Sequence, residues 1–347
     1  RDQRGGTGSG RSDGDRIPLQ RGDHGFGQGA RGRILLKGPA FWAYSACFLG
    51  VVSHASSEFF AVLSGMSGAE VSVWRYLIGS VCLLLVSVSL KGSRDLITPL
   101  RRHGMQITIL SVFGMALGQL LFHWSLDFAS VTQVATMVTT MPMGVVVMDF
   151  VINRTKISAP KIVSGVGAFA GVVLLLTDGY VQQLSIGGSA LYGVMMALGC
   201  SVIGSCYLVL VRPLIQSYGA IRITTLTFVL GAVALWITVG VAWEIWVDPT
   251  TLFERPSEAY WSLLVLGIWN TCIGFILWFW GLSAAPDMGR ANYLFFLKPV
   301  IAALLALVIL SNQISGMQVI AIIVVCGCVA GEMFYTPIRR LFRDVKV

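Results

Sequence analysis

The sequence predicts an all-α integral membrane protein with ten transmembrane helices, arranged as two inverted five-helix repeats. Three observations lead to this fold class. Of the 347 residues, 55% are apolar and only 12% are charged, against about 45–50% and 25% in soluble domains. The chain contains ten apolar runs, each close to the roughly 20 residues that cross a bilayer. Segments of the first half recur in the second half. A water-soluble fold is excluded.

The chain begins with a polar, basic segment. Residues 1–37 contain eight Lys/Arg and four Asp/Glu, and residues 1–33 contain ten glycines. Such a segment buries too little apolar surface to offset its ordering entropy, so we expect a disordered cytoplasmic tail. It lacks the apolar core of a signal peptide, so the first apolar run stays in the protein as a helix. The tail suits contact with RNA or anionic lipid, but we favour a solvated arm and expect no nucleic-acid partner.

Ten apolar runs follow the tail, with short connections that contain turn-forming residues such as Gly92, Pro249 and Pro286. The predicted spans are 39–62, 70–90, 105–126, 131–152, 160–177, 188–210, 220–243, 261–282, 291–310 and 314–335. They divide the chain into a first repeat, residues 38–181, and a second repeat, residues 182–336. A basic cytoplasmic tail, residues 337–347, ends the chain.

The distribution of basic residues predicts the orientation, because loops rich in Lys and Arg stay on the cytoplasmic side. With both termini inside, 22 of the 25 Lys and Arg residues lie on the cytoplasmic side. Only Arg255 lies outside, while Arg75 and Lys298 fall within spans. The net charge of +8 therefore indicates topology rather than an acidic partner.

Two stretches of the chain indicate an internal repeat. Residues 113–126, FGMALGQLLFHWSL, align with residues 269–282, WNTCIGFILWFWGL, at an offset of 156. At an offset of 157, Pro142 aligns with Pro299. A repeat of five helices, an odd number, enters the membrane from the opposite side in its second copy. Inverted repeats are typical of secondary transporters, whose site lies between the two halves.

These features resemble the EamA-like family of the drug/metabolite transporter superfamily over about residues 39–335. The resemblance rests on the ten spans, the two repeats, Arg75 within the motif WRYL, and the prolines Pro142 and Pro299. It implies a central cavity and a role in moving small metabolites, often outward, across the bacterial inner membrane. The chain departs from the family in its first helix, which carries His54 and Glu58 where Trp and Lys are common. The resemblance therefore leaves the substrate and the coupling ion open.

Polar residues inside the first repeat are candidates for substrate binding, because ionisable groups within a membrane are costly and tend to pair or to face a cavity. His54 and Glu58 share one helix face, and Gln119 and His123 repeat the same four-residue spacing. Each pair has a second interpretation, as a polar contact that ties two helices together. Arg75 fits a site for a carboxylate, or equally a structural salt bridge.

The second repeat adds further candidates. Lys298 lies beside Pro299, which bends the helix and frees a backbone carbonyl, so its ammonium suits an anionic group of a substrate, or else reaches the membrane surface. Pro142 and Pro299 are the predicted bend or hinge positions. Aromatic and amide residues complete the predicted substrate site: Trp269, Asn270, Asn292 and Tyr293. Trp and Tyr are also common interfacial anchors.

No catalytic or nucleotide-binding motif is present, so we predict neither an enzyme nor ATP-driven transport by this chain. The seven cysteines lie in apolar runs without a C-x-x-C motif, and we expect no metal site and no cofactor. The predicted function is secondary transport of a small amino-acid-like, aromatic or amphipathic metabolite, in contact with the lipid bilayer and with protons as a candidate coupling ion. Two alternatives stay open: a non-transporting subunit of a larger complex, for which the sequence offers no specific protein partner, and a lipid or isoprenoid carrier.

Overall fold

The computed structural model describes residues 39–180, 188–310 and 315–344. Within these ranges, ten helices are long and apolar enough to cross a membrane, which confirms the predicted number. They are α1 (Ala40–Leu63), α2 (Gly68–Ser89), α3 (Ile97–Ser125), α4 (Val131–Asn153), α5 (Ala159–Thr177), α6 (Ala190–Tyr218), α7 (Ala220–Trp243), α8 (Ser257–Ala284), α9 (Met288–Leu305) and α10 (Gly316–Tyr335).

Two predicted boundaries fall outside the described residues: the tail 1–37 and the junction between the repeats at residues 181 and 182. The predicted C-terminal tail, 337–347, begins as a continuation of the last helix, which runs from Gly316 to Asp344. The described ranges contain helices and turns and no strand. A chain that crosses a bilayer by helices satisfies every backbone hydrogen bond within each segment.

The helices pack in pairs that join the two halves of the chain. α1 packs on α8, α6 on α3, α2 on α7, and α5 on α10. Small residues allow the backbones to approach closely. A Cβ atom added at Gly281 of α8 would lie 2.6 Å from the carbonyl oxygen of Ala43 and 2.7 Å from the amide nitrogen of Cys47, both in α1. This close packing allows polar residues of α1 and α8 to form hydrogen bonds with each other.

Several spans depart from regular α-helix near the centre of the bundle. α1 is interrupted between His54 and Ser57, and α4 is interrupted at Thr139 and Thr140, just before Pro142. The first turn of α9 passes into a 3₁₀ segment, Tyr293–Phe296, just before Lys298 and Pro299. α3 and α8 contain π-helical stretches, Leu110–Ala116 and Val265–Ile273. Such irregular turns free backbone groups and are frequent at functional sites.

We call the end of the bundle at which α1 begins the near end, and the end at which it finishes the far end. In the predicted orientation, the near end is cytoplasmic.

Candidate functional site

A cavity of about 430 Å³ lies among α1, α4, α5 and α9. Its lining is apolar apart from Ser56, Glu58, Thr139 and Lys298. The apolar lining residues are Ala55, Phe59, Phe60, Val62, Leu63, Val131, Ala135, Leu176, Pro299, Ala302 and Leu305. Leu63 and Val131, at the far end, are 40% and 45% exposed. The cavity therefore extends from the two charged residues towards the far end.

Lys298 and Glu58 form an ion pair at this cavity. Both residues are buried. Ser57 Oγ donates a hydrogen bond of 3.1 Å to the second carboxylate oxygen of Glu58. The Lys298 ammonium also lies 5.5 Å from the ring centre of Phe122 and 5.6 Å from that of Phe295, distances at which an aromatic face attracts a cation. The Lys298 ammonium thus contacts one carboxylate and two aromatic rings.

The breaks in α1 and α9 place this ion pair. Glu58 lies in the first turn of the segment Ser57–Leu63, which restarts α1 after its interruption. Ser56 Oγ donates to the carbonyl of Ser53 across that interruption at 3.1 Å. Lys298 is the second residue after the 3₁₀ segment of α9 and precedes Pro299. In a regular helix, Glu58 and Lys298 would each project in a different direction. We infer that the two helix interruptions bring these side chains together.

Arg75 of α2 forms a second polar cluster with α3 and α8. Its Nε donates to Thr271 Oγ1 at 2.9 Å, and one terminal nitrogen bonds to His123 Nε2 at 3.2 Å. The other ring nitrogen of His123 lies 3.0 Å from the carbonyl oxygen of Gln119 and 3.0 Å from Ser72 Oγ. Because a guanidinium only donates, Nε2 of His123 accepts and the ring proton lies on Nδ1. His123 is therefore neutral in this arrangement.

The π-helical stretch of α8 presents Asn270 and Thr271 to the neighbouring helices. Thr271 Oγ1 donates at 2.7 Å to the carbonyl of Leu266, five residues earlier. The side-chain nitrogen of Asn270 donates to the carbonyl of Ser53 and, at 3.1 Å, to Ser56 Oγ. Asn270 therefore ties α8 to the carbonyl of Ser53 and the hydroxyl of Ser56 at the interruption of α1, next to the segment that carries Glu58.

The other predicted residues lie around these clusters. His54 is buried with its ring edge against Phe275, at 4.5 Å between ring centres, and its Nε2 has no partner within the described part of the chain. The side chain of Trp269 is 37% exposed, and its backbone carbonyl accepts from Ser53 Oγ at 2.7 Å. Gln119 is half-buried and contributes its backbone carbonyl. These three residues take part in contacts within and between helices and do not line the cavity.

Asn292 and Tyr293 lie on α9, between the cavity and the near end. The Tyr293 hydroxyl donates to the carbonyl of Lys161 in α5. Asn292 is fully buried, and neither its side-chain nitrogen nor its oxygen has a hydrogen-bond partner among the described residues. A buried amide without a partner is unfavourable and suits a site that another conformation or a ligand satisfies.

A network of charged residues ties the helices together at the near end. Lys161 of α5 pairs with Asp287 at 2.7 Å, and Arg290 of α9 pairs with Glu332 of α10 at 3.3 Å. Burial raises the pKa of Asp287, but the hydrogen bonds from Lys161 and from the backbone N–H of Arg290 outweigh it, and the pKa lies below its ordinary value of 3.8. These pairs join α5, α9 and α10 at this end.

A smaller charged contact lies at the far end, between the α7–α8 connection and α2. Arg255 pairs with Glu70 at 2.9 Å, and its guanidinium lies 5.6 Å from the ring centre of Trp74. Asp127, between α3 and α4, accepts hydrogen bonds of 3.0 and 3.2 Å from the amide of Gly68. These contacts hold α2, whereas the cavity lies on the side of α1, α4, α5 and α9.

The structure brings two of the ten predicted binding residues, Glu58 and Lys298, to the cavity. Arg75 and His123 lie behind them, connected through Phe122, whose ring contacts His123 at 4.9 Å between ring centres. Sequence reasoning missed the rings of Phe122 and Phe295, the hydroxyls of Ser72 and Thr271, and the near-end network. For that network a signal existed, because Glu332 is an acidic residue inside an apolar run.

The fold and its polar centre define a multi-pass α-helical membrane protein. A solved crystal structure of a protein shares this fold, with a TM-score of 0.69 and 18% sequence identity over 86% of this chain and 98% of that one.

Sequence comparison gives the family. The profile of the EamA-like transporter family matches residues 41–177 and again residues 191–331, and the chain belongs to this family. An uncharacterized transporter of Clostridium kluyveri is 25% identical over 315 residues, which cover 89% of this chain and 96% of that protein. The uncharacterized transporter YyaM of Bacillus subtilis is 23% identical over 265 residues, covering 75% of this chain and 83% of YyaM. The protein is thus a multi-pass membrane protein of a transporter family.

Proposed function

We propose that the chain is a secondary transporter that moves a small organic metabolite across the membrane by alternating access. One observation carries the proposal: a cavity with a buried ion pair, Lys298 and Glu58, reaches the far end, while ion pairs join α5, α9 and α10 at the near end. This arrangement corresponds to one of the two states that such a transporter needs. In the other state, the near-end pairs separate and the far end closes.

We propose that an inverted repeat supplies the second state. Two features support it: the family profile matches the chain twice, and the helix pairs α1 with α8 and α6 with α3 are equivalent if the second five helices repeat the first five. The helices with Pro142 and Pro299 are interrupted at matching places, just before each proline. We propose that these interruptions are the bends about which the two halves exchange conformations.

We further propose the bacterial inner membrane, cytoplasmic termini and export as the direction. The distribution of Lys and Arg supports this orientation. A variant without native cysteines, with one cysteine added at either terminus, tests it in intact cells. Both added cysteines should resist a membrane-impermeant maleimide, and a control cysteine beside Arg255 should react. Reaction at either terminus would contradict the orientation.

Protons are the coupling ion that we propose, with Glu58 as their carrier. Glu58 is the carboxylate that lines the cavity. Carboxylates within transmembrane helices carry protons in many pumps and transporters.

A metabolite screen tests the proposed function. Cells with and without the protein are loaded with a panel of metabolites, and release into the medium is measured by mass spectrometry. Transport predicts one or more compounds that leave faster with the wild type and not with Lys298→Gln. A matched surface variant, Lys156→Gln, should behave as the wild type. Equal release by all strains for every compound would contradict the proposal.

The apolar lining favours one second candidate, a carrier of a lipid or isoprenoid. Phe59, Val62 and Leu63 at the cavity are 44%, 59% and 40% exposed, which suits an acyl or prenyl chain. Transfer of a fluorescent long-chain amphiphile between leaflets of protein-containing vesicles tests it. Transfer that exceeds that of water-soluble metabolites, and that stops with Lys298→Gln, would favour the lipid carrier.

A further inference from the structure

The centre of the bundle contains more buried positive charge than negative charge. Arg75 is 2% exposed and Lys298 is 7% exposed, and one buried carboxylate, Glu58, acts on both. Glu58 is paired with Lys298, whereas Arg75 hydrogen-bonds to Thr271 and His123. Within residues 39–180, 188–310 and 315–344, Arg75 forms no ion pair with a carboxylate. The positive charges of Arg75 and Lys298 are thus partly balanced by one negative charge, that of Glu58.

The neighbouring side chains do not balance this charge. His123 accepts a hydrogen bond from Arg75 and is neutral, so it adds no charge of either sign. His54 packs against Phe275. A buried charge without a counter-charge is unfavourable, and its field extends further in a poorly hydrated interior than in water. The site therefore favours entry of an anion and opposes entry of a cation.

We propose, on the basis of the transport function above, that the substrate is an organic anion: one anionic group replaces the Glu58 carboxylate at Lys298, and an apolar body lies against the cavity lining. Glu58 is then the built-in anion that occupies Lys298 while the site is empty. A substrate anion that displaces it supplies the missing negative charge. A zwitterion leaves the imbalance unchanged, and a cation increases it.

The surroundings of Lys298 fit this exchange. Lys298 and Glu58 both line the cavity, so an entering group reaches the ammonium directly. The rings of Phe122 and Phe295 flank the ammonium and hold it in place when the carboxylate leaves. Beyond the pair, the lining offers the hydroxyls of Ser56 and Thr139 and otherwise apolar groups. An inorganic anion would gain nothing from those apolar walls.

The experiment measures binding to the purified full chain in detergent by the shift in the midpoint of thermal unfolding. The probes are matched sets that share one apolar body and differ in charge: phenylacetate, phenylglycine, benzylamine and phenylacetamide, with equivalent indole and hexyl sets, and chloride alone as the inorganic control. We expect at least one carboxylate to raise the midpoint more than its zwitterionic, cationic and neutral partners. Glu58→Gln should bind that carboxylate more tightly than the wild type does.

Variants of Lys298 decide whether binding occurs at this site. Lys298→Gln should weaken carboxylate binding by about 10- to 100-fold, the usual effect of losing a hydrogen bond to a charged group. Lys298→Arg should retain it, and Lys156→Gln should leave it unchanged. If Lys298→Gln alone does not fold, the double variant Glu58→Gln with Lys298→Gln, which leaves neither member of the ion pair without its partner, takes its place.

Three results would overturn the proposal: an amine or amide that binds as well as its carboxylate, a chloride effect equal to that of every organic anion, or no carboxylate shift that depends on Lys298. A different result would contradict the proposed transport function. A chain that binds carboxylates through Lys298 but releases none from loaded vesicles is not a transporter. A chain that transports amines or neutral metabolites is a transporter with a different substrate class.

Discussion

The ammonium of Lys298 in the ninth helix and the carboxylate of Glu58 in the first helix form an ion pair across 240 positions of the sequence. The pair lies where the apolar cavity meets the polar centre of the bundle, with the Arg75 and His123 cluster behind it. A contact between two interrupted helices connects the chemistry of the site to the parts of the fold that we propose to bend.

The first prediction concerns Glu58 and protons. The other charged or titratable groups near Glu58 are Lys298, Arg75, His54 and His123. Glu58→Gln keeps the shape of the side chain but no longer titrates, so substrate binding should persist while a pH gradient no longer drives transport. Flux into reconstituted vesicles is measured with and without an imposed gradient. Unchanged gradient-driven flux in Glu58→Gln would reject Glu58 as the proton carrier.

The second prediction concerns the stability of the ion pair. Lys298→Met leaves Glu58 buried without its partner and should lower the free energy of unfolding by about 3–5 kcal/mol. The double variant Lys298→Met with Glu58→Gln should recover most of this loss, because neither member of the ion pair is then left without its partner. Thermal unfolding in detergent measures both. Lys156→Met, at an exposed site, is the control and should match the wild type. Equal losses in the single and double variants would show that the pair is not the cause.

The third prediction concerns the near-end network and pH. The folded-state pKa of Asp287 is lower than its ordinary value of 3.8, so the stabilisation is present above that pH and is lost as the pH falls through the folded-state value. Below about pH 3.8, the wild type should lose stability. Asp287→Asn should be less stable than the wild type at neutral pH and should show a weaker loss on acidification. Parallel pH profiles for the two proteins would contradict this role.

The fourth prediction concerns the contact between α1 and α8. A methyl group added at Gly281 would lie 2.6 Å from the carbonyl oxygen of Ala43 and 2.7 Å from the amide nitrogen of Cys47, and backbone atoms cannot yield without moving α1. Gly281→Ala should destabilise the protein by about 1–3 kcal/mol and should reduce transport. Gly327→Ala is the matched control, since nothing lies within 4 Å of its added methyl group. Equal stability of the two variants would exclude close packing as the role of Gly281.

Much of the fold follows from the sequence because the bilayer imposes a simple rule. Each span must be about 20 apolar residues long, and the ten predicted runs agree with the ten observed helices. The helices around Pro142 and Pro299 are interrupted just before these prolines, and the role of the prolines as bends stays a prediction. The inversion of the repeat and the disorder of residues 1–37 stay predictions.

The candidate site could be predicted only in part. A charged residue inside an apolar run can be recognised from the sequence alone, so Glu58, Arg75 and Lys298 were predicted as candidate site residues. Their partners depend on which helices touch, and Glu58 with Lys298 or Arg75 with Thr271 are long-range contacts that no local pattern contains. The π-helical stretch that turns Asn270 and Thr271 towards their partners likewise arises from tertiary packing. The sequence therefore indicates which groups are costly to bury but not how they pair.

Transport by the purified chain alone tests the proposed function most directly. Vesicles that contain the wild type, Lys298→Gln or no protein are loaded with the metabolite panel, and release is followed by mass spectrometry. We expect that the wild type releases at least one small organic compound, and that Lys298→Gln and empty vesicles do not. Release that is equal in all three preparations would contradict it.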